Sequence, residues 1–136
     1  MLKEIYSVTC FLEFKGEVLI LLRSDRVRTY RGIWGGVSGR IQNKRAPLEQ
    51  AKLEVKEETG LSEVDFNLIK QGTTLIIDDF ELKIRKVVFP FLFKIKDPGK
   101  IKIDWEHTKC KWIKPSEIAG YQTMPQLEEA LARVFE

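Results

Sequence analysis

The chain lacks what staples or anchors a small fold. Its 136 residues hold two cysteines and one histidine. Cys10 and Cys110 make no CxxC motif and no disulfide framework, which points to a reducing, cytoplasmic setting. Both stand in apolar, strand-like surroundings and read as buried structural thiols. No apolar run approaches the ~18 residues of a membrane span, and the strongest, Val87 to Phe93, is strand-sized. Lys3, Glu4 and Glu13 interrupt the N-terminal apolar stretch, so it does not read as a secretory leader. Repeats, low-complexity tracts and long linkers are also missing, so residues 1–136 read as one domain. Charge of one sign is lacking too: 23 basic residues face 20 acidic ones, for a net +3. Such weak basicity suits an anionic small molecule as well as a nucleic acid. Without an aromatic-basic recognition motif the nucleic acid ranks last.

What is present is enough for a core. The chain is 43% hydrophobic, which excludes intrinsic disorder. A chain of this length buries roughly two-thirds of its unfolded surface and needs no structural metal.

Ile5–Phe14 and Glu17–Leu22 read as a hairpin turning at Lys15-Gly16. Arg23 to Arg31 is a basic loop, followed by a glycine-rich stretch, 32–39, suited to short extended pieces with close backbone approach. Pro47 to Thr59 is the clearest helix, with proline in its first turn, Gly60 at a left-handed C-cap, and an apolar stripe of Leu48, Ala51 and Val55. Leu68–Ile77 and Phe80–Phe93 read as strands joined at Asp78-Asp79, with Pro90 marking an edge or a bulge. Lys109–Ile113 is a further strand, Pro115–Ile118 a short helical turn, and Pro125–Phe135 a second helix. This order predicts an α+β fold, a mixed β-sheet flanked by helices as an αβα sandwich.

Glu54, Glu57 and Glu58 fall within an arc of roughly 100° on the central helix. Lys52 and Lys56 lie on the far side and do not neutralise them. Clustered like charges destabilise a helix unless a cation answers them. Oxygen ligands in this number suit Mg2+ or Mn2+, and no cysteine or histidine lies nearby in sequence to make a softer site. A solvated acidic face is the plain alternative.

The context of that helix resembles the Nudix hydrolase family. Gly39 stands at the leading glycine of the family's box, and Glu54, Val55, Glu57, Glu58, Gly60 and Leu61 match its second half in register. Residues 32–41 are similar to the approach to the box, and Trp105-Glu106-His107 with Lys111-Trp112-Ile113 to a later strand segment. Two positions depart: Arg45 stands at the family's first glutamate and Leu53 at the arginine that helps hold the glutamates.

The resemblance implies a Nudix-like sandwich that hydrolyses a small-molecule nucleoside diphosphate derivative. Cations held by Glu54, Glu57 and Glu58 would neutralise the phosphates and activate a water for in-line attack on phosphorus. A carboxylate of the cluster, or Glu106, would take the proton. Arg23 and Arg40, with Gly39 beside them in the box, are the candidates for substrate phosphate, although solvated surface charge explains either arginine alone. His107 reads as a loop residue before a catalyst. Tyr30, Trp34 and Phe80 read first as core aromatics and second as stacking surfaces for a base. The altered box leaves a second reading, a weak or inactive Nudix fold that binds a nucleotide or a protein. An open edge strand would give a homodimer.

Overall fold

Alternating apolar residues in the first two strands already dictate two packed faces. Leu19 and Leu21 belong to one buried cluster, and their neighbours Val18 and Ile20 to another. The computed structural model describes residues 1–135. Its elements are β1 (Lys3–Phe14), β2 (Glu17–Arg23), β3 (Trp34–Gly35), β4 (Val37–Arg40), α1 (Pro47–Thr59), β5 (Phe66–Gln71), β6 (Leu75–Asp79), β7 (Ile84–Ile95), β8 (His107–Ile113) and α2 (Leu127–Val134). β1 and β7 form a long parallel pair at the centre, in register from Lys3↔Ile84 to Glu13↔Lys94. On its other edge β1 meets β4 and β2, both antiparallel, and β2 carries β3 and β8. On the far edge of β7 lie β5 and then β6. This is the mixed α+β sandwich that the element order predicts.

One face packs Val8, Cys10, Leu12, Phe91 and Phe93 against Ala51 and Val55 of α1. The other packs Phe11, Leu75, Val88 and Leu92 against Leu127, Leu131 and Val134 of α2. α1 stops where Gly60 turns left-handed at φ 72° and donates its N–H to Lys56 O at 3.0 Å.

Several boundaries differ from the expectation. The predicted strand 68–77 is two strands. It breaks at Gly72, whose Cα hydrogens leave room for the Arg133 carbonyl; a Cβ there would lie 2.7 Å from that oxygen. Pro90 is therefore in an interior strand, at the break, where its carbonyl receives the Gly72 N–H at 2.9 Å. Asp78 and Asp79 stay paired with Arg85 and Ile84, and the chain reverses at 80–83 instead. There Lys83 takes φ 57° and Asp79 accepts the Leu82 N–H. Phe80, at that turn, is 75% exposed and packs in no core. α2 begins two residues after Pro125 because Gln126 is left-handed. Cys10 is buried as expected, but Cys110 is exposed, within a continuous exposed run, 108–111, of β8. No helix is long and apolar enough to cross a membrane among the described residues.

Candidate functional site

α1 presents its carboxylates where β4 approaches it most closely. A Cβ on Gly39 would sit 2.3 Å from Glu54 Cδ, so the absent side chain is what makes room for the Glu54 carboxyl. Glu54 is then oriented from its own helix. Gln50, one turn earlier and 1% exposed, donates through Nε2 to Glu54 Oε2 at 2.6 Å. The Gln50 amide oxygen accepts the Gln42 N–H at 3.1 Å and Arg45 Nη1 at 3.3 Å. Arg45 is thus tied into the support of Glu54 and not left as a stray charge. Sequence reasoning missed Gln50. Its signal was its spacing, four residues before a glutamate of the arc.

Glu58, one turn after Glu54, is 2% exposed, and its Oε2 has no hydrogen-bond partner among the described residues. Burial, then the negative charges of Glu106, Glu54 and Asp104, push its carboxyl well above the usual range. Glu54 is raised too, first by burial and then by Glu57 and Asp104, against its hydrogen bonds with Glu58 and Gln50. Glu57 itself is exposed, at the rim. Lys52 and Lys56 pair with Glu63, away from this cluster. Leu53 is half-buried and outside both core clusters, so no cation stands one turn before Glu57.

The loop before β8 supplies the opposing wall. Ser24, at the end of β2, donates its N–H to Glu106 O at 2.8 Å and its hydroxyl to Trp105 O at 3.0 Å. This fixes Glu106 over the cluster, with its carboxyl raised by burial and by Asp104 and Glu54, against Arg23. His107 is not a loop residue. It opens β8 opposite Arg23 and its side chain is 1% exposed. Nδ1 lies 3.3 Å from Asp104 Oδ1 and Nε2 3.8 Å from Glu58 Oε1. Burial lowers its pKa, against the Asp104 carboxylate beside Nδ1, and Nε2 is the ring nitrogen on the Glu58 side. One ligand atom each of Glu58, Glu106 and His107 lies within 4.8 Å of the others. The family resemblance foresees Glu106 beside the cluster but not His107, because the fold alone brings residue 107 to residue 58. An orphaned buried carboxylate oxygen amid mutually repelling carboxyls fits a divalent cation.

Glu106 and Gly39 also line a cleft of about 720 Å³ on the α2 face of the sheet. Arg23 reaches into it half-buried, with Nε and Nη2 held by the carbonyls of Thr29 and Tyr30. Arg40 lines it from an exposed position. The structure therefore brings Gly39, Glu54, Glu58, Glu106 and Arg23 together, leaves Glu57 at the rim, and sets Arg40 at the cleft edge. The Tyr30 ring meets Lys86 and its hydroxyl is bonded to Asp79, and Trp34 packs edge-on against Tyr121.

A family model described as NUDIX domain matches residues 3–135. Among solved structures, the chain is similar to a MutT protein from Methanosarcina mazei, with TM-score 0.78 and 24% identity over 98% of this chain and 94% of that one. It is similar to the E. coli dihydroneopterin triphosphate pyrophosphohydrolase, with TM-score 0.79 and 20% identity over 99% and 98%. It is also similar to a C. elegans Ap4A hydrolase, with TM-score 0.75 and 18% identity over 97% and 94%. At these identities the structures speak for the fold alone. No curated protein sequence matches the chain.

Proposed function

The chain belongs to the NUDIX domain family, and from that premise we propose that it is a divalent-cation-dependent pyrophosphohydrolase, a single domain that cleaves the diphosphate linkage of a nucleoside diphosphate derivative. The observation that carries this reading is the unpartnered Glu58 Oε2, buried beside Glu106, which itself lines a cation-rich cleft.

Glu54, Glu57 and Glu58 would hold Mg2+ or Mn2+, with Glu106 and His107 Nε2 in reach. Such an ion, when bound, neutralises phosphate charge and acidifies a water. The chain's own residues do the rest. Gln50 and Gly39 fix the Glu54 carboxyl. Arg23, already oriented by the loop carbonyls, offers its guanidinium charge to a phosphate, and Arg40 adds a second contact at the edge. Glu106 takes the proton of the attacking water. Burial raises its pKa, which makes it a stronger base than an exposed carboxylate, and its backbone is anchored by Ser24. In-line displacement then separates the two phosphates.

The test is hydrolysis of a panel of nucleotide derivatives with Mg2+ or Mn2+, the products identified by the position of their phosphates. Turnover that disappears in excess EDTA is expected. Full turnover in EDTA overturns the metal role. Absence of hydrolysis across the panel favours the binding-only fold that the departures at Arg45 and Leu53 suggest.

A further inference from the structure

We propose that the cleft floor around Lys86 is an anion site, so that the substrate carries at least one phosphate beyond the cleaved linkage. This rests on the pyrophosphohydrolase reading above and adds the substrate class to it.

Lys86 stands in an unusual place for a lysine. β7 is an interior strand, paired with β1 on one edge and β6 on the other. Across those ladders Lys86 faces Ile5 and Ile77, and along its own strand the same face continues with Ile84 and Val88. All four apolar residues line the cleft with it. The ammonium therefore rises half-buried from an apolar floor. Among the described residues no carboxylate lies within ion-pair distance of it, and its contact is the Tyr30 ring at 4.9 Å. The charges that act on it are Arg23 and Arg40, of its own sign, and Asp79, whose carboxylate is already engaged by the Tyr30 hydroxyl and the Leu82 N–H.

A desolvated cation beside two others is costly until an anion arrives. A neutral sugar or base entering here leaves that cost in place, whereas a phosphate removes it. The cations lining the cleft are Arg23, Arg26, Arg28, Arg40 and Lys86, against the single carboxylate Glu106. That surplus fits a group of multiple negative charge better than one carboxylate. The position is remote from the carboxylate cluster. Gly39 pairs with Val8 and Lys86 with Ile5, three residues further along β1, or roughly 10 Å at ~3.3 Å per residue. The remote phosphate comes either from a nucleoside triphosphate or from the longer chain of a dinucleoside polyphosphate.

The experiment compares wild type with Lys86→Met, a length-matched apolar change on an apolar floor. First, kcat/KM is measured for a nucleoside triphosphate, a dinucleoside tetraphosphate and ADP-ribose. Wild type is expected to prefer one or both polyphosphates, which also tells the two sources apart. Lys86→Met is expected to cut that preference about tenfold or more, through KM. Second, inorganic tripolyphosphate is titrated calorimetrically into both proteins in EDTA, with melting curves in parallel to confirm the fold. Binding at least about tenfold weaker in the variant is expected. A wild-type preference for ADP-ribose, or equal tripolyphosphate affinity in the two folded proteins, overturns the proposal. If nothing on the panel is hydrolysed, the pyrophosphohydrolase reading fails, and the tripolyphosphate titration still decides the anion site.

Discussion

Glu54 and Glu58 come from one helix, a single turn apart, whereas Arg23, Arg40 and Lys86 come from three different strands on the cleft side of the sheet. The acidic cluster is a local construction. Once 47–59 is helical, the carboxyls converge whatever the rest of the chain does. The basic floor is a consequence of register. A one-residue slip of β7 against β1 would turn Lys86 toward α1 and empty the floor of its buried cation. The two regions also carry their strain differently. The carboxyls crowd together and are raised by burial, while the cations are spread over a wide cleft, with Lys86 and Arg23 half-buried and Arg40 exposed. A ligand that bridges metal and phosphate relieves both.

The largest expected effect comes from breaking the acidic side at its buried member. Glu58→Gln should lower turnover about a hundredfold or more while raising the melting temperature in EDTA by about 2–6 °C, because a buried charge is removed. Its exposed neighbour makes the contrast: Glu57→Gln should also lower turnover but leave the melt nearly unchanged. The pH dependence follows from the raised carboxyl. The folded state holds the Glu58 proton more tightly than the unfolded chain. Metal-free wild type should therefore gain stability as pH falls through the folded value toward the ordinary carboxylate range. His107, lowered by burial, opposes this by losing stability as pH falls below about 6.5. Melts of wild type and Glu58→Gln against pH in EDTA separate the two, because the carboxylate gain is missing from the variant.

Smaller effects test the supports of Glu54. Gly39→Ala should weaken Mn2+ binding about tenfold by displacing the Glu54 carboxyl, with the fold retained because the obstructing atoms end a flexible side chain. Titration with Mn2+ and a melt check both halves. Gln50→Leu should lower turnover several-fold and cost about 1–3 kcal/mol in a denaturant titration, since it leaves the Gln42 N–H and the Glu54 carboxyl without their partner. The smallest is a gain. Leu53→Arg, at a half-buried position off the core, should tighten Mn2+ modestly by orienting Glu57, an i,i+4 pair worth roughly 0.2–0.5 kcal/mol. Unchanged or weaker affinity in a folded variant means that Leu53 replaces nothing.

These contrasts mark where residue pattern reaches its limit. The alternation in β1 and β2, the proline-to-glycine span of α1 and the arc of glutamates are short-range features, and they appear where the spacing puts them. The break at Gly72 escaped notice because its cause, the Arg133 carbonyl, lies 61 positions away in the chain. Phe80 looked like core material and is exposed, since composition does not say which side of a turn an aromatic takes.

The sequence by itself determined the helix, its carboxylate face, the glycine beside it and the two apolar faces of the sheet, because each depends on repeats of 3.6 or 2 residues within one element. Tertiary structure decided everything that joins elements. It placed His107 against Glu58 across 49 positions, held Glu106 over the cluster through Ser24, and set Lys86 among isoleucines opposite Arg40's side of the cleft. The physical reason is that strand register and loop closure are fixed by the packing of the whole core, and no local spacing carries that information.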